Sequence, residues 1–415
     1  MQAVFSIESP RLIASLARLV RDVGLAEELA QDALVAALEQ WPESGIPEKP
    51  GAWLMATAKH RAINQFRRNK LAERKHGELA HDLDSSRGDS AKAMEHAADD
   101  DIGDDLLRLV FTACHPVLPP EARVALTLRL LGGLSTADIA RAFLLSEPTV
   151  AQRIVRAKKT LAEAGIPFEV PRGAELGPRL ASVLEVIYLV FNEGYSASHG
   201  DDLLRPALTE DALRLGRILA ELVPEEPEVH GLVALMELNA SRAAARITAS
   251  GEPVLLLEQD RARWDPLLIR RGLAALERAE ALGGERGPYA LQAAISACHA
   301  RALTPEATDF ERIAGLYEEL FGIAPTPVIA LNHAVAIGMA RGPDAGLAAV
   351  DALSDEPQLA QYHFLPSARA EFLEKLGRLR EARAEFQRAA DLAQNARHRA
   401  RLLARAEACE RRGAC

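Results

Sequence analysis

The chain has 415 residues, which is too long for one compact core and predicts two or three domains. Hydrophobic residues make up 48% of it and aromatic residues only 5%, a composition rich in Ala, Leu, Arg and Glu that predicts an all-α fold. No run of about 18 apolar residues could span a bilayer, so we expect no membrane partner and a cytoplasmic location.

The first predicted domain covers residues 1–75. Its helical pattern is interrupted at WPESGIPEKPG (41–51), because prolines and glycines oppose continuation of a helix. The following segment, AWLMATAKHRAINQFRRNKLAERK, has seven basic residues and one acid, Glu73, opposite an apolar side. Its cationic side could face phosphates or single-stranded bases, with Trp53 or His60 available to stack. The alternative places Trp53 in the core and the charges on an ordinary solvated surface.

Residues 76–105 lose the apolar periodicity. They include EHAADDDIGDD, which has six carboxylates and no Lys or Arg, so we predict a flexible acidic linker. A second small helical domain is predicted over residues 106–167. Residues 168–415 form a third region of short amphipathic helices with polar, Gly or Pro joints.

The second domain contains LSTADIARAFLLSEPTVAQRIVRAKKTL (134–161), which predicts two capped helices joined by a short turn. Ser135 and Asp138 form a capping box, and Ser146 can cap the second helix. Helical spacing places Val150, Ile154, Ala157 and Leu161 on one buried stripe. The side facing away from this stripe carries hydrogen-bond donors and cations: Thr149, Gln152, Arg153, Arg156 and Lys159. Lys158 lies off this side.

This arrangement is typical of a helix-turn-helix that reads the major groove of DNA. Arg suits guanine, Gln suits adenine, and Lys159 would neutralise a phosphate. The alternative is a solvated amphipathic helix whose charges only maintain solubility. The formal net charge of −10 does not oppose DNA binding, since contact depends on local charge and the acidic remainder discourages indiscriminate binding.

Together these segments resemble the extracytoplasmic-function sigma factors of bacterial RNA polymerase. AEELAQDALVAALEQW (26–41) resembles the polymerase-clamp helix of that family, and WLMATAKHRAINQFRR (53–68) resembles its promoter-melting helix. Residues 118–161 resemble its domain that reads the minus-thirty-five element. The chain departs from the family pattern at Asn64, where Asp is usual, and at Leu34, where Phe is frequent.

The resemblance implies a sigma factor that binds core RNA polymerase and promoter DNA. It implies a polymerase contact at Glu28, Gln31 and Asp32. The residues implied near the opened minus-ten strand are Trp53, Lys59, His60, Asn64, Arg67 and Arg68. The residues implied at the minus-thirty-five element are Thr149, Gln152, Arg153, Arg156 and Lys159.

The long C-terminal region has an internal repeat near its end. Three positions recur 36 residues later: Gly346, Val350 and Leu353 correspond to Ala382, Phe386 and Ala389. A period near 34 residues resembles tetratricopeptide repeats. The region also resembles the helical-repeat extension of a sigma-factor subgroup, with FNEGYSASHGDDLLRPALTEDALRL and QDRARWD as its recognisable segments. We therefore expect a regulatory domain that docks onto the sigma domains or onto polymerase.

Two clusters in this region admit a chemical interpretation. Glu193, His199, Asp201 and Asp202 could bind a metal, and Glu258, Asp260, Arg261 and Asp265 could form a catalytic cluster. Helix capping and ion pairing are the commoner roles of such groups, and no nucleophile elbow, phosphate loop or HExxH motif occurs. We predict no catalytic residue, no cofactor and no metal.

The remaining residues singled out are structural. Tyr188, Phe191 and Tyr195 are expected in the core more than in a ligand cage. The four cysteines, Cys114, Cys298, Cys409 and Cys415, lack CxxC spacing and are expected as reduced thiols.

Three functions from different classes remain open. The chain could be a sigma factor with a fused repeat domain, a DNA-binding regulator that acts without polymerase, or an enzyme carried by a DNA-binding front end. The clamp-like segment 26–41 favours the first, because a plain regulator does not need it. The lack of a catalytic motif argues against the third.

Overall fold

The computed structural model describes residues 2–76, 102–143, 145–195, 205–248, 252–283, 286–393 and 396–413. Throughout these ranges the ordered elements are α-helices and short 3-10 turns, with no β-strand, which confirms the all-α prediction. No helix in the described part is long and apolar enough to cross a membrane. The predicted acidic linker lies mostly outside the described residues. The chain divides into two compact units, Met1–Ile187 and Tyr188–Cys415.

The described residues of the N-terminal unit form seven helices and the first part of an eighth. They are α1 (Gln2–Val20), α2 (Val23–Ser44), α3 (Pro50–His76), α4 (Ile102–Ala113), α5 (Pro120–Leu130), α6 (Thr136–Ala142), α7 (Glu147–Glu163) and α8 (Leu176–Tyr195).

The break predicted at 41–51 is shorter than expected. Helix α2 continues through Trp41 and Pro42 to Ser44. The capping residue Gly45 has a φ of +81°, which lies in the left-handed region that glycine favours. Trp41 is buried, and its ring lies 5.4 Å from that of Trp53, so the packing of these rings holds α2 against α3.

Helix α4 begins at Ile102, so it includes the last four residues of the predicted linker. Asp105 is 1% exposed and pairs with Arg18 of α1 at 3.0 Å and with Arg108 of α4 at 2.6 Å. A carboxylate with two cationic partners can be buried inside a helical bundle, whereas a free one belongs in water.

The described residues of the C-terminal unit continue α8 and add ten helices. They are α9 (Pro206–Leu222), α10 (Pro227–Ala240), α11 (Pro266–Ala281), α12 (Pro288–Arg301), α13 (Phe310–Ile323), α14 (Pro327–Arg341), α15 (Pro343–Asp351), α16 (Phe364–Lys375), α17 (Leu379–Leu392) and α18 (Ala396–Gly413). Six of these begin with proline, which fits the first turn because its missing N–H has no helical partner there.

The repeated positions near the C-terminus pack as the sequence predicts. Val350 and Phe386 are buried, and Gly346 approaches Gly338 so closely that an added Cβ would lie 2.6 Å from the Gly338 Cα. Small residues are therefore required where α14 and α15 cross. These contacts establish a helical array from α14 to α17, and its description as tetratricopeptide-like remains a prediction.

Candidate functional site

Helix α7 has the caps and the buried stripe predicted for a recognition helix. The Ser146 hydroxyl accepts a hydrogen bond from the Thr149 backbone N–H at 3.3 Å, and the backbone N–H of Asp138 donates to the Ser135 hydroxyl at 3.1 Å. The residues of α7 that are buried are Val150, Ile154, Ala157 and Leu161, as predicted. The core therefore fixes the rotation of α7 about its axis.

The predicted reading face of α7 is open to solvent. Thr149, Gln152, Arg156 and Lys159 are exposed and Arg153 is half-buried. Lys159 pairs with Glu163 at 3.5 Å on the surface, a contact that water screens strongly. A row of exposed donors and cations on a rigidly packed helix can approach a polyanion without rearrangement of the core.

Helix α2 also has one exposed face. Its predicted polymerase residues, Glu28, Gln31 and Asp32, are exposed, and Val35 and Leu38 beside them are 50% and 51% exposed. Acidic groups beside apolar side chains at helical spacing, above a buried stripe, are the features of a protein-binding helix surface.

The predicted minus-ten residues are only partly described. His60 is exposed, Trp53 packs half-buried against Trp41, and Arg61 pairs with Asp32 at 3.4 Å. The side chains of Asn64, Arg67 and Arg68 lie outside the described residues. Trp53 therefore has a packing role in the structure, in agreement with the alternative interpretation of this residue.

Glu27 is a residue that the sequence analysis did not single out. It lies on the buried side of α2, 4% exposed, and its carboxylate pairs with Arg129 of α5 at 2.6 Å and with Lys158 of α7. Gln31 donates a further hydrogen bond to it at 2.9 Å. An acid at a position of the apolar stripe is the sequence signal for such a contact, because a buried carboxylate needs a cationic partner.

The beginning of α8 belongs to the N-terminal unit through its polar contacts. The Arg123 guanidinium donates to the Ser182 hydroxyl at 2.5 Å and pairs with Glu185 at 2.9 Å. Ser182 in turn donates to the Cys114 carbonyl at 2.6 Å. Burial raises the pKa of the Cys114 thiol to about 11, so this thiol stays protonated.

The possible chemical clusters of the C-terminal region have structural roles where they are described. Asp260 and Asp265 accept hydrogen bonds from backbone N–H groups at helix starts, and Arg261 donates to the carbonyls of His299 and Ala302. Glu193 pairs with Arg205. His199, Asp201 and Asp202 lie outside the described residues. Among the described residues, no three or more His, Cys, Asp or Glu side chains form a group that could hold a metal ion.

The aromatic group at the start of the C-terminal unit divides between core and stacking roles. Phe191 is fully buried, and its ring stacks on that of Tyr195 at 5.5 Å. The Arg246 guanidinium lies 3.7 Å from the centre of the Tyr195 ring. The guanidinium therefore occupies the face of the Tyr195 ring in a cation–π contact.

Comparison with known families matches three segments of the chain. Residues 5–71 match Sigma-70 region 2, and residues 108–161 match Sigma-70, region 4. Residues 179–280 match a family of unknown function (DUF6596). The chain belongs to the sigma-70 family. Region 2 contains the exposed face of α2, and region 4 contains the whole predicted reading face of α7.

One relative is similar to this protein over almost the whole chain. An uncharacterized protein of Rhizobium meliloti (strain 1021) is 44% identical over 389 residues, which cover 93% of this chain and 90% of the relative. No solved structure matches the chain. The order of the regions fits a sigma factor similar to the extracytoplasmic-function type with a C-terminal extension, as predicted.

Proposed function

We propose that this sigma-70 family protein binds core RNA polymerase through α2 and directs it to specific promoters through α3 and α7. It would act in the cytoplasm, and its C-terminal unit would regulate it by docking. The observation that carries the proposal is the pair of solvent-exposed faces on α2 and α7. Each face belongs to a helix whose other side is buried, and each lies within a matching sigma-70 region.

Transcription from a random promoter library tests the proposal directly. Purified core polymerase should start transcripts from defined sites only when this protein is added. A chain that binds promoter DNA tightly alone and yields no new transcript with polymerase would instead be a polymerase-independent regulator.

The two promoter-binding regions must separate for this function. Elements centred near minus ten and minus thirty-five are separated by about 25 base pairs, which is about 85 Å along B-DNA. Glu27 holds α2 against α5 and α7 within one compact unit. Simultaneous occupancy of both elements therefore requires this ion-pair contact to open.

Charge reversal on α2 is expected to weaken polymerase binding. The double variant Glu28→Lys, Asp32→Lys should reduce affinity for core polymerase at least tenfold, since complementary charges govern docking of such exposed faces. Folding should be little affected, because both side chains are exposed and the lost Asp32–Arg61 pair is a surface contact. Affinity is measured by labelled-sigma titration of core enzyme.

A matched control separates contact from net charge. The double variant Glu277→Lys, Glu318→Lys changes the total charge equally at two exposed sites of the C-terminal unit. Equal losses for the two double variants would mean that only overall charge matters and would remove α2 from the interface.

Substitutions on α7 are expected to separate base readout from phosphate contact. Arg153→Ala or Gln152→Ala should relax preference at one or two bases, at a cost of about 1–3 kcal/mol each. Lys159→Ala should weaken binding evenly across sequences and lower its salt dependence. Binding of promoter variants by holoenzyme at several salt concentrations measures both effects. A uniform loss for all three substitutions would show that α7 contacts only the backbone.

We further propose that the C-terminal unit is required for activity. A release mechanism would be needed for an inhibitory tail, and neither a cysteine pair nor a metal cluster occurs among the described residues to provide one. The test is transcription by residues 1–187, a cut that keeps Ser182 and Glu185 as partners of Arg123. Activity equal to that of the full chain would contradict a required tail.

A further inference from the structure

A cavity of about 560 Å³ lies within the C-terminal unit, and none of its lining residues is among those assigned to polymerase or promoter contact. Its walls come from α12, α13, α14, α16 and α18 and from the connection at residues 255–258. Helices α15 and α17 contribute none of them. Cavities of about 300–1,000 Å³ are typical of small-molecule sites.

One end of the cavity is apolar. Its lining includes Leu256, Ile295, Phe310, Ile313 and Val335. His299, beside this end, is 9% exposed and its Nδ1 has no hydrogen-bond partner in the described part of the chain. Burial and the cations Arg242 and Arg261 lower the pKa of His299 to about 4, so the ring is neutral at physiological pH. This end suits a mostly hydrocarbon group.

The end lined by α16 and α18 is charged and has more cations than its own carboxylates neutralise. Glu374 accepts from Arg405 and from Arg412, each at 2.6 Å, so one carboxylate serves two guanidinium groups. Lys375 is exposed, and no carboxylate of the described residues lies within 4.0 Å of its ammonium; its near neighbour is the Met339 sulfur at 3.4 Å.

The other two carboxylates of this end do not remove the excess. Glu258 is neutralised by Arg401 at 3.0 Å. Glu371 lies 3.8 Å from Arg405, and burial raises the pKa of its carboxyl group. Arg401 lies outside the lining and neutralises Glu258 from there. The three cations of the lining, Lys375, Arg405 and Arg412, then stand against the two remaining carboxylates, which leaves about one positive charge to attract an anion.

We propose that this cavity binds a small molecule with an apolar body and one carboxylate. The carboxylate would lie at Lys375 and Arg412, and the body would lie against α13 and α14. A single anionic group matches the single excess positive charge, and the apolar wall supplies affinity in proportion to the hydrocarbon buried.

The connection at 255–258 favours a small molecule over a peptide. Its neighbour Pro253 accepts a hydrogen bond from Arg401 of α18 at 2.6 Å, and Glu258 pairs with the same arginine. Three leucines of this connection line the cavity. A segment tied to α18 at both its ends bounds the cavity on that side, whereas an extended peptide needs a continuous groove.

Isothermal titration of the full chain with three ten-carbon probes tests the proposal. Decanoate, decylamine and decanol share one tail and differ in the charge of the head group. Decanoate is expected to bind at least tenfold more tightly than either of the others. Equal binding of decylamine and decanoate, or no binding of decanoate up to millimolar concentration, would overturn the proposal.

Variants locate the binding within the cavity. Lys375→Glu should weaken decanoate binding at least tenfold, whereas Arg380→Glu, an equal charge change at an exposed site outside the lining, should change it less than twofold. Val335→Phe, which fills the apolar end, should weaken all three probes. Equal effects of the Lys375 and Arg380 variants would contradict the assigned site. Thermal unfolding checks that each variant folds.

A peptide arm distinguishes the second source of the same chemistry. A hexapeptide ending in leucine with a free carboxyl terminus is expected to bind more weakly than decanoate. Tighter binding of the peptide than of decanoate would overturn the small-molecule assignment. These measurements need no polymerase, so their failure leaves the proposed role in transcription untouched.

Discussion

Replacing Glu27 by alanine is expected to cost the contact between α2 and helices α5 and α7 about 2–3 kcal/mol. The change leaves Arg129 and Lys158 without their shared carboxylate inside the N-terminal unit. Loss of one partner of a fully buried pair costs about 3–5 kcal/mol. The smaller value applies here because the two cationic side chains are 21% and 22% exposed and can regain part of their hydration.

Hydrogen exchange of the full chain measures this effect. A cost of 2–3 kcal/mol corresponds to exchange about 30-fold to 150-fold faster in the backbone of α2, α5 and α7. Glu28→Ala is the matched control, because the neighbouring carboxylate is exposed and its loss should stay within about 0.5 kcal/mol. Equal exchange rates in the two variants would show that the Glu27 ion pairs do not stabilise the contact of α2 with α5 and α7.

Removal of residues 362–415 is expected to unfold much of the C-terminal unit and not merely to shorten it. The cut deletes α16, α17 and α18, which bury apolar side chains of the preceding helices such as Leu331, Leu347 and Val350. Re-exposure of several such side chains, at about 1.5–3 kcal/mol each when complete, approaches the whole stability of an ordinary domain. Helices of a repeat array are stable only against their neighbours, so the loss should spread.

Circular dichroism and hydrogen exchange together measure that spread. The helical signal should fall by more than the three deleted helices account for, and α14 and α15 should lose exchange protection. Phe386→Ala in the full chain removes one fully packed ring and should cost about 3–5 kcal/mol while the helices remain formed at low temperature. A truncated chain that keeps full protection in α14 and α15 would refute cooperative stacking of the array.

Local sequence patterns were sufficient for the features that depend on near neighbours. The capping box at Ser135, the cap at Ser146 and the buried stripe of α7 involve residues at most a few turns apart, and all three are confirmed. The same holds for the exposed row on α7. Helical periodicity encodes which side is buried, so one sequence suffices to place a reading face opposite it.

Local rules misplaced two helix boundaries. The sequence predicts a helix end at Pro42, yet α2 passes through it because Trp41 is held in the core beside Trp53. The sequence predicts Asp105 in a linker, yet it is buried because Arg18, far away in sequence, neutralises it. In both cases a tertiary contact outweighed a local preference of a few kcal/mol or less.

The sequence by itself determined the helical class of this protein, the order of its two sigma-70 regions, and the residues offered on the faces of α2 and α7. Only the tertiary structure decided that Glu27 joins α2 to α7, that the start of α8 packs with the N-terminal unit, and that six distant segments surround one cavity. The physical reason is range. Helix period and capping act over a few residues, whereas partners such as Arg401 and Glu258 are 143 residues apart and meet only when the array closes.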